Sequence, residues 1–137
     1  MPSGVRASRV LLFVLGGSQA LVALLTLAFA LWLGARSASA SEEVGDLLLL
    51  AGCASAVTAV PFALFACWGL VTAARYGSGG PGTRLSALLY TTSVAALGVL
   101  LSSALPWMYG TGLCLALAAF VLLAAGEAGE WFDGRPY

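Results

Sequence analysis

The sequence predicts an all-α membrane protein, a bundle of four transmembrane helices that run antiparallel in an up-down-up-down arrangement. Three observations predict this fold. First, the 137 residues are 61% hydrophobic and only 9% charged, whereas soluble domains carry about 25% charged residues. Second, the few charged residues are separated by long uncharged stretches. Third, the arginines are distributed unequally among the expected loops.

The uncharged stretches determine the number of helices, because a spanning helix needs about 20 apolar residues and a charge in the bilayer centre is costly. Stretches of 26 and 28 uncharged residues lie at 10–35 and 47–74, and each suits one helix. A third stretch of 42 residues lies at 85–126. As one helix it would be about 63 Å long, twice the hydrocarbon core of ~30 Å, so it must fold back.

A turn in this third stretch is predicted at Leu105–Gly110. Pro106 breaks a helix, Gly110 permits a turn, and the rings of Trp107 and Tyr109 prefer the membrane interface. We therefore predict a single membrane domain over 1–137. Its helices are expected near 10–34, 43–75, 85–105 and 108–126, followed by a cytoplasmic tail at 127–137.

The arginines predict that both termini face the cytoplasm. If the N-terminus is inside, five of the six arginines are cytoplasmic and only Arg36 is outside, as the positive-inside rule requires. The aromatic residues then form an outer belt (Trp32, Trp107, Tyr109) and an inner belt (Trp68, Tyr76, Trp131). The chain is thus expected in the cell membrane as a multi-pass protein.

An alternative for the first helix is a cleaved signal peptide. Arg6 and Arg9 precede an apolar run, and Ala38-Ser39-Ala40 resembles a cleavage site. The apolar run from Val10 to Leu33 has 24 residues, however, whereas the apolar part of a signal peptide has about 7–15. We therefore expect the helix to be retained.

Gln19 places a primary amide within the first predicted helix. It lies about 14 Å from the inner surface, close to the midplane of a ~30 Å core. In the second helix, Pro61 leaves the Val57 carbonyl without its helical hydrogen bond at nearly the same depth. We hypothesise that Gln19 donates to this carbonyl, or to the Thr58 hydroxyl, and so joins the first two helices. Ser93 of the third helix and a second copy of the chain are the alternative partners.

Three hydroxyl groups form a polar face on the third predicted helix. Ser86, Tyr90 and Ser93 are spaced i, i+4 and i+7, which places them on one side of the helix. Such residues usually bond to their own backbone or to a neighbouring helix. A polar groove or conduction path is the alternative interpretation.

Small residues at a spacing of four predict two further packing faces. These are the pairs Gly112 with Ala116 and Ala59 with Ala63. Small residues suit close helix packing within a membrane, because they let two backbones approach.

No pattern predicts catalysis, a cofactor or a metal. Cys53, Cys67 and Cys114 form no C-x-x-C pair, and the chain has no histidine, so the spacings of zinc and thioredoxin-like sites are missing. Cys53 and Cys114 are expected at similar depth, and a thiol pair there is the alternative to two inert apolar side chains. The segment 77–82 matches G-x-G-x-x-G, but no strand precedes it and no lysine follows, so we expect a hairpin between helices.

Composition also restricts the partners. The formal net charge is zero, so no basic field points to nucleic acid. The uncharged stretches at 10–35, 47–74 and 85–126 hold no Asp, Glu, Lys or Arg within the membrane, on which ion-driven transport usually depends. In size the chain is similar to small multidrug resistance transporters, but these use a glutamate in the first helix, where this chain has Gln19. Fluoride channels carry a T-T-F-S-T stretch, whereas Thr91-Thr92-Ser93 lacks the phenylalanine.

In layout and composition the whole chain resembles small four-helix integral membrane proteins of high-GC bacteria. This resemblance implies a fold, but no site and no activity. We therefore expect a non-enzymatic integral membrane protein without a cofactor. It would be a structural or accessory subunit that packs through small-residue helix faces against other membrane subunits or against itself. A small channel or transporter is the alternative.

Overall fold

The computed structural model describes residues 3–78, 80–102 and 106–124, and these residues are helical apart from short connections. No strand occurs in these ranges, which confirms the predicted all-α class. The helices are α1 (Ser3–Ser37), α2 (Glu42–Arg75), α3 (Pro81–Ser102) and α4 (Pro106–Ala124), and a 3-10 turn at Tyr76–Ser78 follows α2.

Helix α1 begins at Ser3, seven residues before the predicted start at residue 10. The prediction followed the apolar residues, but backbone hydrogen bonds form a helix whether or not its side chains are apolar. Helix α2 begins at Glu42 and ends at Arg75, close to the predicted bounds. The carboxylates of Glu42 and Glu43 lie in its first turn, where the helix dipole favours negative charge.

Proline marks the first residue of both later helices, which begin earlier than predicted. Proline suits the first helical position because its fixed φ is already helical and no amide is needed there. Helix α3 therefore begins at Pro81, and α4 begins at Pro106. The predicted start of the fourth helix near residue 108 was two residues late, since Pro106 and Trp107 already belong to the first turn of α4. The predicted helix ends at 103–105 and 125–126 and the predicted tail 127–137 lie outside the described residues.

The glycine-rich segment joins α2 to α3, as predicted. Gly80 has a φ of 99°, a conformation that favours glycine because side chains with a Cβ rarely adopt it. Its carbonyl accepts hydrogen bonds from the amides of Thr83 and Arg84 at 3.2 and 3.4 Å. Gly80 thus both turns the chain and caps the start of α3.

The contacts divide the chain into two compact units. Unit 1 contains the chain up to Gly16 and from Trp68 onwards, and unit 2 contains Gly17–Cys67. Unit 2 is therefore built from the later part of α1 and the earlier part of α2.

Unit 2 is held together by small residues that recur every seven positions. Ala23 and Ala30 on α1 are buried, and so are Gly52, Ala59 and Ala66 on α2. A Cβ on Gly52 would lie 3.2 Å from the carbonyl oxygen of Ala30, so the two backbones approach closely. A repeat of seven keeps the same side of each helix against its partner when the helices cross at a shallow, left-handed angle.

The predicted small-residue pairs are met only in part. Ala59 is buried but Ala63 is exposed, because a spacing of seven residues, not four, keeps side chains on this seam. On α4, Ala116 is fully buried and Gly112 is half-buried. A Cβ on Gly112 would have nothing within 4 Å, so the small residues are packed within the chain at two of the four predicted positions, Ala59 and Ala116.

Within unit 1, the end of α4 lies beside the start of α3. The Arg84 guanidinium Nη2 donates to the carbonyl of Leu123 at 3.4 Å. Further along, a Cβ on Gly98 would lie 3.5 Å from the Cβ of Leu113. These two contacts show that α3 and α4 run in opposite directions. The buried residues of α4 follow a helical spacing and are Ala116, Ala119 and Leu123.

Two helical segments are long and apolar enough to cross a membrane. In the described part of the chain these are Ser3–Ser37 and Glu42–Ser78, and a shorter apolar segment is Gly112–Ala124. Only 22% and 11% of the most apolar windows of the two long segments are buried inside the protein. Large apolar side chains with about two thirds or more of their surface exposed include Leu24, Leu31, Leu47, Leu50, Val57, Leu64 and Val121.

Candidate functional site

The predicted polar face on α3 packs against the last turns of α2. The indole Nε1 of Trp68 donates to the Ser86 hydroxyl at 3.0 Å. The hydroxyls of Thr72 and Ser86 also lie 3.0 Å apart. We call Trp68, Thr72, Ser86 and Tyr90 the α2–α3 polar cluster. Because Trp68 and Thr72 are four residues apart, as are Ser86 and Tyr90, each helix presents two of these side chains on one side.

Tyr90 fills the space beside a glycine of α2. Its side chain is fully buried, and its ring lies at 72° to that of Trp68 with the centroids 5.8 Å apart. A Cβ on Gly69 would be 2.7 Å from both Cζ and Oη of Tyr90. Only glycine at position 69 therefore permits this approach of the ring. Ser93, the third residue of the predicted face, is half-buried one turn further along α3.

The start of α1 is joined to the end of α2 by a second set of polar contacts. The Ser8 hydroxyl lies 3.0 Å from the Val5 carbonyl and 3.4 Å from the Tyr76 hydroxyl, and both hydroxyl side chains are fully buried. The Nε of Arg9 donates to the Ala73 carbonyl at 3.1 Å. An arginine thus satisfies a backbone carbonyl near the end of α2, where the helix dipole favours positive charge.

Arg84 of α3 reaches a backbone carbonyl at the end of α4, as Arg9 of α1 does near the end of α2. It donates through Nη2 to Leu123, while its buried Nε has no hydrogen-bond partner among the residues that the structure describes. A buried donor without an acceptor costs free energy, whereas a charged donor that gains an acceptor is stabilised. The bond to the Leu123 carbonyl therefore stabilises Arg84 beside the end of α4.

The residues predicted to join α1 and α2 in the middle of the helices all lie in unit 2. Gln19 is half-buried, and the Val57 side chain is 72% exposed. The Thr58 hydroxyl donates to the Ala54 carbonyl of its own helix at 2.8 Å. Helix α2 continues through Pro61, which is exposed. The hydrogen bond from Gln19 to Val57 or Thr58 stays a prediction.

The cysteines are free thiols. Cys53, Cys67 and Cys114 are all exposed, and none forms a disulfide. Among the residues that the structure describes, no group of three or more His, Cys, Asp or Glu side chains is placed to hold a metal ion.

Sequence reasoning found one side of the α2–α3 polar cluster and missed the other. Ser86 and Tyr90 were selected by their spacing, but Trp68 had been assigned to an interfacial belt. The sequence does contain a signal for this pairing, because Trp68 and Thr72 on the preceding helix are four residues apart, as are Ser86 and Tyr90. The contact between Arg9 and Ala73 has no sequence signal, because its acceptor is backbone.

What this arrangement does chemically is to connect helices. Trp68 and Thr72 of α2 both pair with the Ser86 hydroxyl of α3. The buried Thr91 hydroxyl, in contrast, donates to the Ala87 carbonyl of its own helix at 2.9 Å.

No protein-family model, curated protein or solved structure matches the chain.

Proposed function

We propose that this chain is a non-enzymatic integral membrane protein that crosses the bilayer four times as an up-down-up-down bundle with both termini in the cytoplasm. In this proposal it serves as a structural or accessory subunit of a membrane assembly. The observation that carries the proposal is the outward exposure of large apolar side chains along helices of 34 and 35 residues.

Burial distinguishes these helices from the core helices of a soluble protein. A core helix is mostly buried, whereas the apolar windows of α1 and α2 are mostly exposed. Soluble monomers rarely expose contiguous apolar patches larger than a few hundred Å². A lipid bilayer would cover such a surface, which supports the proposed membrane location.

The lengths of α3 and α4 support two further crossings. At ~1.5 Å per residue, their 22 and 19 residues extend about 33 and 28 Å, which matches a hydrocarbon core of ~30 Å. Their opposite directions suit two passes joined by a short connection. The excess of arginine on one side supports the cytoplasmic position of the termini.

An accessory role is supported by where the polar groups are used. In the described helices, the hydroxyl groups of the α2–α3 polar cluster connect neighbouring helices, and small residues form the seam of unit 2. These contacts serve packing, whereas a conduction path needs polar groups that face water. A small channel or transporter is therefore the less supported candidate.

The membrane topology is tested by reporter fusions and alkaline extraction. The chain should stay in the membrane pellet at high pH, and a reporter after Tyr137 should be active only in the cytoplasm. Single cysteines introduced into a variant without native cysteines should react from outside at Ser39. Activity of the Tyr137 fusion only on the exterior would contradict the proposed topology.

The accessory role is tested separately by purification in a mild detergent. A stable heteromeric partner that copurifies in fixed ratio supports an accessory subunit. A defined homo-oligomer that carries solute flux in liposomes would instead establish the channel or transporter, and would overturn the accessory role.

A further inference from the structure

The described part of unit 1 carries four positive charges and no acidic residue. Its charged residues are Arg6, Arg9, Arg75 and Arg84. The acidic residues of the described chain, Glu42, Glu43 and Asp46, all lie in unit 2. The segment 127–137 of the same unit adds three acidic residues and one arginine, so that segment and an external anion are the two candidates to pair with the four guanidinium groups.

Interhelical contacts bring the four arginines to one end of unit 1. The bond from Arg9 to Ala73 joins the start of α1 to the end of α2. The contact of Thr72 with Ser86 joins the end of α2 to the start of α3. The arginines lie within about one helical turn of these contacts along the chain, and we call this set the arginine end.

The guanidinium groups of the arginine end retain donors for an added ligand. Arg6 and Arg75 are exposed. Arg9 uses its Nε on Ala73 and lies with its Cζ 5.7 Å from the ring centroid of Phe13. Within the described ranges, Arg84 makes one long hydrogen bond, of 3.4 Å, to the Leu123 carbonyl. Arginine presents five donors in a planar fork that matches phosphate oxygens.

Exposed apolar side chains lie within five residues of the arginines along the same helices. Val10 and Phe13 on α1 are 57% and 40% exposed, Val71 on α2 is 51% exposed, and Leu85 and Leu89 on α3 are 58% and 51% exposed. This surface therefore presents positive charge at its end and hydrocarbon beside it. A ligand that combines a phosphate with acyl chains fits both parts at once.

We propose that the arginine end binds the phosphate head groups of anionic phospholipids in the cytoplasmic leaflet. The proposal rests on the proposed membrane location, because only there do head group and acyl chains meet the protein together. Cytoplasmic leaflets carry a negative surface potential that attracts basic residues close to the membrane. The acidic tail residues Glu127, Glu130 and Asp133 and free inorganic phosphate are the competing anions to be tested.

The test measures how strongly spin-labelled phosphatidylglycerol associates with the full chain in phosphatidylcholine bilayers, relative to spin-labelled phosphatidylcholine. The test variant is Arg6→Gln with Arg75→Gln, which neutralises two exposed side chains. The matched control is Arg36→Gln, an exposed arginine in unit 2 whose Cζ lies 5.5 Å from the Trp32 ring centroid.

Phosphatidylglycerol should associate more strongly than phosphatidylcholine with the unmodified chain. One arginine near a charged membrane contributes about fivefold, the equivalent of about 1 kcal/mol, so the double variant should lose about 25-fold. The Arg36→Gln control should keep the preference. High salt should weaken the preference, because the screening length falls to about 3 Å at 1 M.

Three results would overturn the proposal. One is no preference for phosphatidylglycerol, or an equal loss in the Arg36→Gln control. Another is a preference that emerges only after Glu127→Gln, Glu130→Gln and Asp133→Asn, which would make the tail the natural occupant. The third is loss of the preference when inorganic phosphate is added, provided that a neutral salt of equal ionic strength does not cause the same loss. Alkaline extraction of the same membranes tests the membrane location independently, so failure of lipid binding and failure of the proposed function are distinguishable.

Discussion

Gly69→Ala tests the close approach of α2 and α3 with the addition of one methyl group. In the structure a Cβ at this position would lie 2.7 Å from Cζ and Oη of Tyr90. Ordinary carbon contacts are about 3.5–4.0 Å. The ring would therefore have to move by roughly 1 Å, and Tyr90 is fully buried against Trp68.

Two effects of opposite sign determine the expected loss of stability. Overpacking in a close-packed interior costs about 1–3 kcal/mol. Replacing glycine by alanine within a helix returns up to about 1 kcal/mol through helix propensity. We therefore expect the free energy of unfolding to fall, by up to about 2 kcal/mol when the full propensity gain is realised.

The assay is reversible unfolding of the full chain in mixed micelles of a mild detergent and sodium dodecyl sulfate. The matched control is Gly17→Ala, because an added Cβ there would have nothing within 4 Å. Its stability should be unchanged or slightly higher. In a Tyr90→Leu background the ring is absent, so Gly69→Ala should cost less than it does in the unmodified chain.

Two results would refute the reasoning. If Gly69→Ala and Gly17→Ala had the same effect on stability, α2 and α3 would not approach as closely as described. If Gly69→Ala were destabilising but cost the same with Tyr90→Leu, the loss would arise elsewhere than at the tyrosine ring.

The same unfolding assay tests three further contacts. Ser86→Ala removes the hydrogen-bond acceptor of the Trp68 indole. It should lower the free energy of unfolding by about 0.6 kcal/mol, at most about 1.7, and shift the tryptophan emission. Unchanged emission and stability would count against the bond. Gly52→Val places a branched side chain against the Ala30 carbonyl and should lower the free energy of unfolding by about 1–3 kcal/mol. Unchanged stability would show that α1 and α2 are further apart at this position than the structure describes. Gln19→Leu should lower the free energy of unfolding by about 0.6 kcal/mol. Unchanged helix pairing and stability would contradict the predicted interhelical hydrogen bond.

The positions of the helices were predictable because charge and hydrophobicity vary along the chain itself. The end of α2 at Arg75 was predicted, since an arginine ends the uncharged stretch. The start of α1 at Ser3 was not, because a helix continues through polar residues when its backbone bonds are satisfied. The start of α4 at Pro106 was misread because proline both interrupts a helix and begins one.

The candidate site was only half predictable for a related reason. The polar face of Ser86 and Tyr90 follows from spacing on one helix. Which helix receives that face depends on the pairing of separate segments. The contacts of Trp68 and Thr72 with Ser86 are therefore seen only in the packing of α2 against α3.

The sequence by itself determined that the chain is helical and that long apolar segments alternate with arginines, because these properties belong to single segments. Only the tertiary structure decided that small residues every seven positions form the seam of unit 2 and that Gly69 makes room for Tyr90. The sequence already placed Arg9 and Arg84 on one side, but only the structure showed that they reach the backbone carbonyls of Ala73 and Leu123. The physical reason is that a contact joins residues far apart in the chain, and its distance depends on the shapes of both helices.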